Sequence, residues 1–383
     1  MDNPTLDVQV LSGDLRAALA NVKRAINPRS SLPILTYGMV ETDNGRLTLR
    51  GTNLEVAISQ TISAKVAGEG RAVIPVHQLA ASLPAKPAGP VRITANGQDV
   101  SVTLPGGAVL NYHTEAPEDY PSPVRPPDRE PDAYWAGQEL ARAASVVARA
   151  AAPDQERPIL AGVQVEFGEG RATMAAADSF RLALYHLEAG ATGPKRSIIV
   201  PAASLRILAQ LIGRPAKLAV DNEPVSMWIL EERSQVVFSS GPWVLVSQLV
   251  KGVFPDYRQI IPHTSTAHVI PTGELLNAVK VMRPMAKQAN GILRFASTDQ
   301  KPGTLGVSAV ASGEGEGVVW VRTDSPLPYR FALNSKYALD ALETIGTDRL
   351  ILGLNGGPSS PVTIQPTDGE LLTWVIMPMY VAD

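Results

Sequence analysis

Apolar residues recur along the chain with two periods. Leu15, Ala18, Leu19, Val22 and Ile26 fall at spacings of three and four, the stripe of a helix packed on one side. The other side of that helix holds Arg16, Ala20, Lys23 and Asn27, with Arg24 beside it. Ser12 or Asp14 is expected to cap it by accepting the unpaired N–H groups of the first turn. A second stripe, Leu140, Ala144 and Val147 within a helix predicted over 137–150, stands opposite Arg142, Ser145 and Arg149. In a third, Leu205, Leu208 and Ile212 oppose Arg206, Gln210 and Arg214. In a fourth, Leu275, Val279 and Met282 alternate with Asn277, Lys280 and Lys287, and Pro284 is expected to kink or end that helix. Two more helices are predicted after Pro75 and after Asn334. The segments between helices read as short strands, with turns at Asp43-Asn44-Gly45, Asn96-Gly97 and Gly106-Gly107, where Asn and Gly accept positive φ.

The same order of elements comes three times. Ile34-Leu35, Ile159-Leu160 and Ile292-Leu293 open the apolar strand of each copy, at intervals of 125 and 133 residues. Pro75, Pro201 and Asn334 precede the second helix of each copy, and Tyr120-Pro121, Phe254-Pro255 and Met377-Pro378 close them. A period this long marks repeated domains, since solenoid units span about 20–50 residues. Pro121 to Pro131 contains five prolines and no apolar period, the character of a linker. The reading is therefore α+β, with three repeated domains, 1–125, 126–256 and 257–383, each with two helices packed on antiparallel sheet. Such helices bury one stripe and leave the other free.

Composition narrows the chemistry. A chain that is 45% apolar and 19% charged builds cores and is not disordered. No run reaches the roughly 18 apolar residues of a membrane span. The start MDNPTLDVQV lacks the regions of a signal peptide, so a cytoplasmic location without membrane partners is expected. The absence of cysteine excludes disulfides, Cys-zinc sites and thiol catalysis. His77, His113, His186, His263 and His268 show no metal-ligand spacing, and no metal or cofactor is expected. GEGEG at 313–317 lacks the Lys-Ser/Thr of a phosphate loop and reads as a hairpin turn. Asp178, Ser179 and Arg181 lack a Gly-x-Ser-x-Gly elbow around the serine, so catalysis is not expected. Net charge is −3, yet Lys or Arg stands on the free side of five of the six helices. In an acidic chain that recurrence points to one surface aimed at a polyanion. A three-module protein that binds a surface polymer or another protein is the alternative.

The segments RSSLPIL (29–35) with GTNLEVAIS (51–59), RPILAGVQVEF with AADSFRLAL (157–184), FPDYRQIIP (254–262) and VIMPMYV (375–381), in this order on a threefold repeat, resemble the bacterial DNA polymerase III beta sliding clamp family over the whole chain. The resemblance implies a non-catalytic processivity factor in the nucleoid-associated cytoplasm. Two chains would join head to tail as a homodimer, a closed ring around double-stranded DNA held without regard to sequence. It implies DNA contacts at Arg16, Lys23, Arg24, Arg29, Arg142, Arg149, Arg157, Arg206, Lys280 and Lys287. Pro158-Ile159 stands where relatives often carry aromatics, so contact there is expected to be electrostatic only.

The resemblance also implies a groove that takes short linear motifs of the replicative polymerase subunit, the clamp loader, other polymerases and repair proteins. By position it comprises Leu160, Ala177, Ser179, Phe180, Arg181, Leu182, Pro255, Ile260, Asn334, Tyr337, Val375, Ile376, Met377, Pro378 and Met379. In it, aliphatics hold an anchor, methionines adapt to varied partners and Arg181 offers a polar end. Phe180 departs from the more polar residue of the family. The dimer contact is expected near Leu110 and Tyr112 on one side and Val281, Met282 and Met285 on the other.

Overall fold

The structure is a computed structural model that describes residues 5–86, 89–153, 156–188, 190, 195–213, 223–263, 266–288, 290–311, 315–369 and 371–380. Arg214 and part of the 313–317 turn lie outside the described residues. The chain forms two compact units. The first comprises residues 1–141, 190–193 and 203–249, and the second residues 142–189, 194–202 and 250–383.

In the first unit, a five-stranded antiparallel sheet runs in the order Lys65–Gly68, Leu6–Leu11, Pro90–Asn96, Asp99–Thr103, Val109–His113. Its strands alternate: Leu6, Val8 and Val10 are buried while Gln9 and Leu11 are exposed. An eight-stranded sheet runs Ala133–Ala136, Pro224–Leu230, Gln235–Ser240, Trp243–Gln248, Val56–Ser63, Arg46–Thr52, Gly38–Asp43, Arg71–Ile74. The hairpin at Asn44-Gly45 forms as expected, with φ of 48° and 73° and Asp43 paired with Arg46. Helix α1 (Ser12–Val22) packs on the strands Arg46–Thr52 and Val56–Ser63. It comes so close that a Cβ on Gly51 would sit 2.7 Å from the Val22 carbonyl oxygen, which only glycine allows. Helix α2 (Val76–Ser82) begins after Pro75.

The second unit repeats the plan. Its eight-stranded sheet runs Arg196–Pro201, Gly162–Gly168, Arg171–Ala177, Arg181–Glu188, Leu372–Ile376, Val362–Pro366, Arg349–Leu354, Thr266–Pro271. A four-stranded sheet runs Gly315–Arg322, Thr304–Ala311, Ile292–Ala296, Phe331–Asn334. Helix α3 (Gly137–Val147) starts in the first unit and ends in the second, burying Leu140, Ala144 and Val147; helix α4 (Ala202–Ile212), which apart from Ala202 belongs to the first unit, buries Leu205 and Leu208. Helix α5 (Thr272–Gln288) packs on the four-stranded sheet, and helix α6 (Ser335–Leu342) packs on α5. Residues 126–256 thus supply strands to both large sheets.

Several local expectations change. The cap of α1 is Leu11, without a side-chain bond, because the strand runs straight into the helix. The N–H of buried Ser12 donates to the Gly89 carbonyl at 3.0 Å. The predicted helix to Ile26 tightens into a 3-10 turn at Lys23–Ala25, and α3 stops at Val147 instead of Ala150. Ile34-Leu35 lies in a 3-10 turn, Pro33–Thr36, and Ile159-Leu160 in a turn before the strand at Gly162. Pro33 and Pro158 fix φ near the turn value and supply no N–H to a ladder. Only Ile292-Leu293 opens a strand. Pro284 does not end α5, which continues to Gln288. Buried Met282 and Ala286 anchor its last turns, and the Gly291 N–H closes on the Ala286 carbonyl at 2.8 Å.

Candidate functional site

The residues expected to line a groove gather in the second unit around the turn Asp178–Arg181. Asp178 Oδ1 accepts the N–H groups of Phe180 and Arg181 at 3.1 and 3.2 Å. This bends the chain so tightly that Ser179 takes φ +80° and Phe180 is carried outward, 57% exposed. The Phe180 carbonyl accepts the Met377 N–H at 2.8 Å, and the Met379 N–H donates to Ala332 at 2.8 Å, tying the last segment to the turn and to the strand before Asn334.

Beneath lies an apolar floor. Leu182 and Val375 are neighbours in the sheet and cluster with Ala175, Leu184, Ile199, Phe254 and Tyr257. Ala177, Ile159 and Ile261 pack against them half-buried. Leu182, Val375 and Ile376 are therefore core residues that shape the floor from within, not walls a ligand would touch. Leu160, Pro378 and Met379 are half-buried, Pro255 is exposed, and Ile260 and Met377 are 51% and 40% exposed. Val253 and Tyr380, both 88% exposed, add apolar surface near this segment in the chain.

Arg181 differs most from its expected role. It is 5% exposed and its donors are committed. Nε donates to Asp178 Oδ2 at 2.9 Å, Nη1 to Asp340 Oδ2 at 2.6 Å and Nη2 to the Arg149 carbonyl at 2.5 Å. Its guanidinium also lies 4.4 Å from the centre of the Tyr337 ring, a cation–π contact. It cannot serve as the polar end for a peptide; it is the post on which the turn is built. Asn334 caps α6, accepting the Lys336 N–H at 2.9 Å, and Lys336 Nζ donates to Asp340 at 2.8 Å. Burial opposes ionisation of Asp340, but the hydrogen bonds from Lys336 and Arg181 and their charges outweigh it and hold its carboxyl below the usual range. Burial raises the Tyr337 hydroxyl, and the Asp178 charge adds to it.

The ten cations expected to meet DNA divide by their surroundings. Lys23, Arg29, Arg206 and Lys287 have exposed side chains on or beside α1, α4 and α5. Arg16 donates to the Pro84 carbonyl at 2.7 Å and Arg24 to the Gln210 side chain. Arg157 donates to Ser179 Oγ at 2.8 Å, so it braces the groove turn. Arg149 and Lys280 pair with the two oxygens of Glu343, at 3.0 and 3.5 Å. Arg142 is exposed, its guanidinium against Gly346. The meeting of Arg149, Lys280 and Glu343 joins three segments distant in the chain, which no local pattern of the sequence reveals.

The strand Val109–His113 is an edge of the five-stranded sheet, and Gly315–Arg322 an edge of the four-stranded one, each with backbone groups open to another strand. Leu110 and Tyr112 are half-buried on the first. Burial raises the Tyr112 hydroxyl against a hydrogen bond with Ser82. Val281 is 55% exposed, but Met282 is 5% exposed, and both Met282 and Met285 approach Gly317. These methionines therefore support the Gly315–Arg322 edge from below. That strand begins at Gly315, inside the segment 313–317 expected to form a hairpin turn, and returns antiparallel along Thr304–Ala311.

The sequence matches the family model "DNA polymerase III beta subunit, N-terminal domain" over residues 7–124 and the model "DNA polymerase III beta subunit, central domain" over residues 136–256, together well over half of the chain. The chain belongs to the beta sliding clamp family. The "Beta sliding clamp" of Staphylococcus aureus (strain Mu50) is 26% identical, over 94% of this chain and 96% of that protein. The one of Staphylococcus epidermidis is 24% identical over the same shares. The fold is that of the Bacillus subtilis DNA polymerase sliding clamp, with TM-score 0.88 and 21% identity over 99% of this chain and 100% of that one. The Thermotoga maritima DNA polymerase III beta subunit aligns with TM-score 0.85 and 22% identity over 98% and 100%.

Proposed function

We propose that this protein is a sliding clamp, a ring of two chains joined head to tail that encircles duplex DNA and tethers the replicative polymerase and other replication and repair proteins. It works without catalysis, in the cytoplasm on the nucleoid. The observation that carries this reading is the family match, sustained over nearly the full length of the curated relatives. The sequence repeats 1–125, 126–256 and 257–383 are read as the three clamp domains of each half-ring.

The chemistry is consistent with that task. Cations on or beside helices α1, α3, α4 and α5, in a chain of net charge −3, attract phosphates while the rest of the surface stays acidic. Side chains that meet only the backbone position a protein on DNA without reading its sequence, and sliding needs that. The surface around Phe180, Ile260, Met377 and Met379, over the floor of Leu182 and Val375, is the docking groove for short peptide motifs. The edges Val109–His113 and Gly315–Arg322 are the strands that close the ring between copies. Light scattering on the purified protein should return about twice the chain mass of 40.7 kDa. A monomer at working concentration would remove the ring.

A further inference from the structure

Three of the cations assigned to the DNA face converge on one acidic point of the second unit. Glu343 follows the last residue of α6. Its Oε2 receives Arg149 Nη1 at 3.0 Å and its Oε1 receives Lys280 Nζ at 3.5 Å. One turn of chain further, a Cβ on Gly346 would meet Arg142 Nη2 at 2.5 Å, so the Arg142 guanidinium rests on that backbone. Arg142 comes from α3, Arg149 from just beyond it and Lys280 from α5. Arg149 is also fixed from below, because its carbonyl accepts from buried Arg181. Two cations from separate segments held a few ångströms apart by a carboxylate, with a third close by, form an anion site. The carboxylate occupies the place that an outside anion with two acceptor oxygens would take.

We propose that Arg142, Arg149 and Lys280 form one phosphodiester site and that Glu343 is its built-in competitor, displaced when a DNA phosphate enters and returning when it leaves. The inference rests on the reading of these cations as DNA-facing. Both ion pairs are partly solvated, with side chains 34–51% exposed, so they exchange readily and hold little energy of their own. Phosphates of duplex DNA pass about every 1.7 Å of axis. Between two of them, bare cations would be left unpaired, and that repeated loss would roughen the path. Glu343 fills the interval, so each cation always has a partner and the duplex is held loosely as it slides. Glycine at 346 keeps room for Arg142 beside the same point.

The test is the Glu343→Gln variant of the full chain, which keeps shape and removes the charge. Binding to a fluorescein-labelled primed duplex is followed by anisotropy across a salt series, beside Arg149→Ala and Lys280→Ala. Glu343→Gln should bind more tightly than the parent and steepen the plot of log affinity against log salt by about 0.9, while the two alanine variants bind more weakly. One-dimensional diffusion of loaded Glu343→Gln on stretched DNA should slow. If Glu343→Gln leaves affinity and slope unchanged while Arg149→Ala weakens binding, the competitor role is overturned and the cationic face stands. If none of the three variants alters binding, the DNA-facing assignment of this cluster falls, and the competitor with it.

Discussion

In the first unit Asn53 Oδ1 accepts the N–H groups of Glu55 and Val56 at 3.1 and 2.7 Å. In the second unit Asp178 Oδ1 accepts those of Phe180 and Arg181 at 3.1 and 3.2 Å. The residue between is left-handed in both, Leu54 at φ +74° and Ser179 at φ +80°. The two turns stand 125 residues apart, the interval of the sequence repeat. Their side chains then diverge. Where the second turn presents exposed Phe180, the first presents Glu55, and where the second has the buried Arg181 post, the first has Val56, a core residue at 6% exposure. Beside the first turn the chain that follows Tyr120 lies close: Pro121, Ser122, Pro123 and Val124 share with Leu54 and Glu55 the wall of a cavity of about 120 Å³. One backbone design thus serves as a plain corner in one unit and as the centre of a candidate partner site in the other. The distinction lies in two side chains, not in the fold.

The largest break in that comparison is Arg181→Met. It strips the counter-charge from Asp178 and Asp340 and the donor from the Arg149 carbonyl. Leaving buried partners uncompensated costs about 3–5 kcal/mol, and urea unfolding should show it. Val56→Ala at the matching position removes apolar contact alone and should cost about 2 kcal/mol. Equal losses at both positions would contradict the post assigned to Arg181.

Next in size is the groove itself. Phe180→Ala and Met377→Ala should each weaken binding of a partner peptide by about tenfold, the effect of truncating an anchor, with the dimer intact by light scattering. Glu55→Ala, the counterpart of Phe180, should leave peptide affinity unchanged. A loss as large at Glu55 would move the docking surface to the first unit.

Acid should test the partner of the Arg181 post. The Asp340 carboxyl ionises below the ordinary aspartate value of 3.8. Its stabilisation is therefore complete above that value and is lost as pH falls through the lowered one. Asp340→Asn should lower the melting temperature at neutral pH, where this stabilisation is fully present, and flatten its further fall on acidification below about pH 4. A parallel pH profile in the variant would show that Asp340 carries none of the linkage. The smallest effect belongs to the left-handed positions. Leu54→Gly relieves a conformation that costs a non-glycine residue about 1 kcal/mol, offset by the greater freedom of glycine in the unfolded chain. It should be near neutral by melting temperature, whereas Ser179→Gly also loses the hydroxyl that receives Arg157 and should lower it slightly.

How far the sequence could be read follows from the range of each interaction. The hairpin at Asn44-Gly45 and the stripes of α1, α3, α4 and α5 were legible because period and turn chemistry are local. The turns at Ile34 and Ile159 were not, since the same apolar pairs open a strand at Ile292 and only the adjacent prolines distinguish them. The post at Arg181 was hidden because its partner Asp340 lies 159 residues away. The burial of Leu182 and Val375 was hidden because their strands meet only in the sheet. Met282 was misplaced for a like reason: a methionine at the end of an amphipathic stripe looks the same whether it faces another chain or supports an edge strand of its own.

A sliding clamp holds DNA by encircling it. The most direct measurement loads the labelled protein with its clamp loader onto nicked circular DNA, passes the complex through a gel-filtration column, and repeats the run after the circle is cut once. Co-elution with the circle and release from the linear form are expected. Equal retention on both would contradict a ring and return the chain to ordinary surface binding.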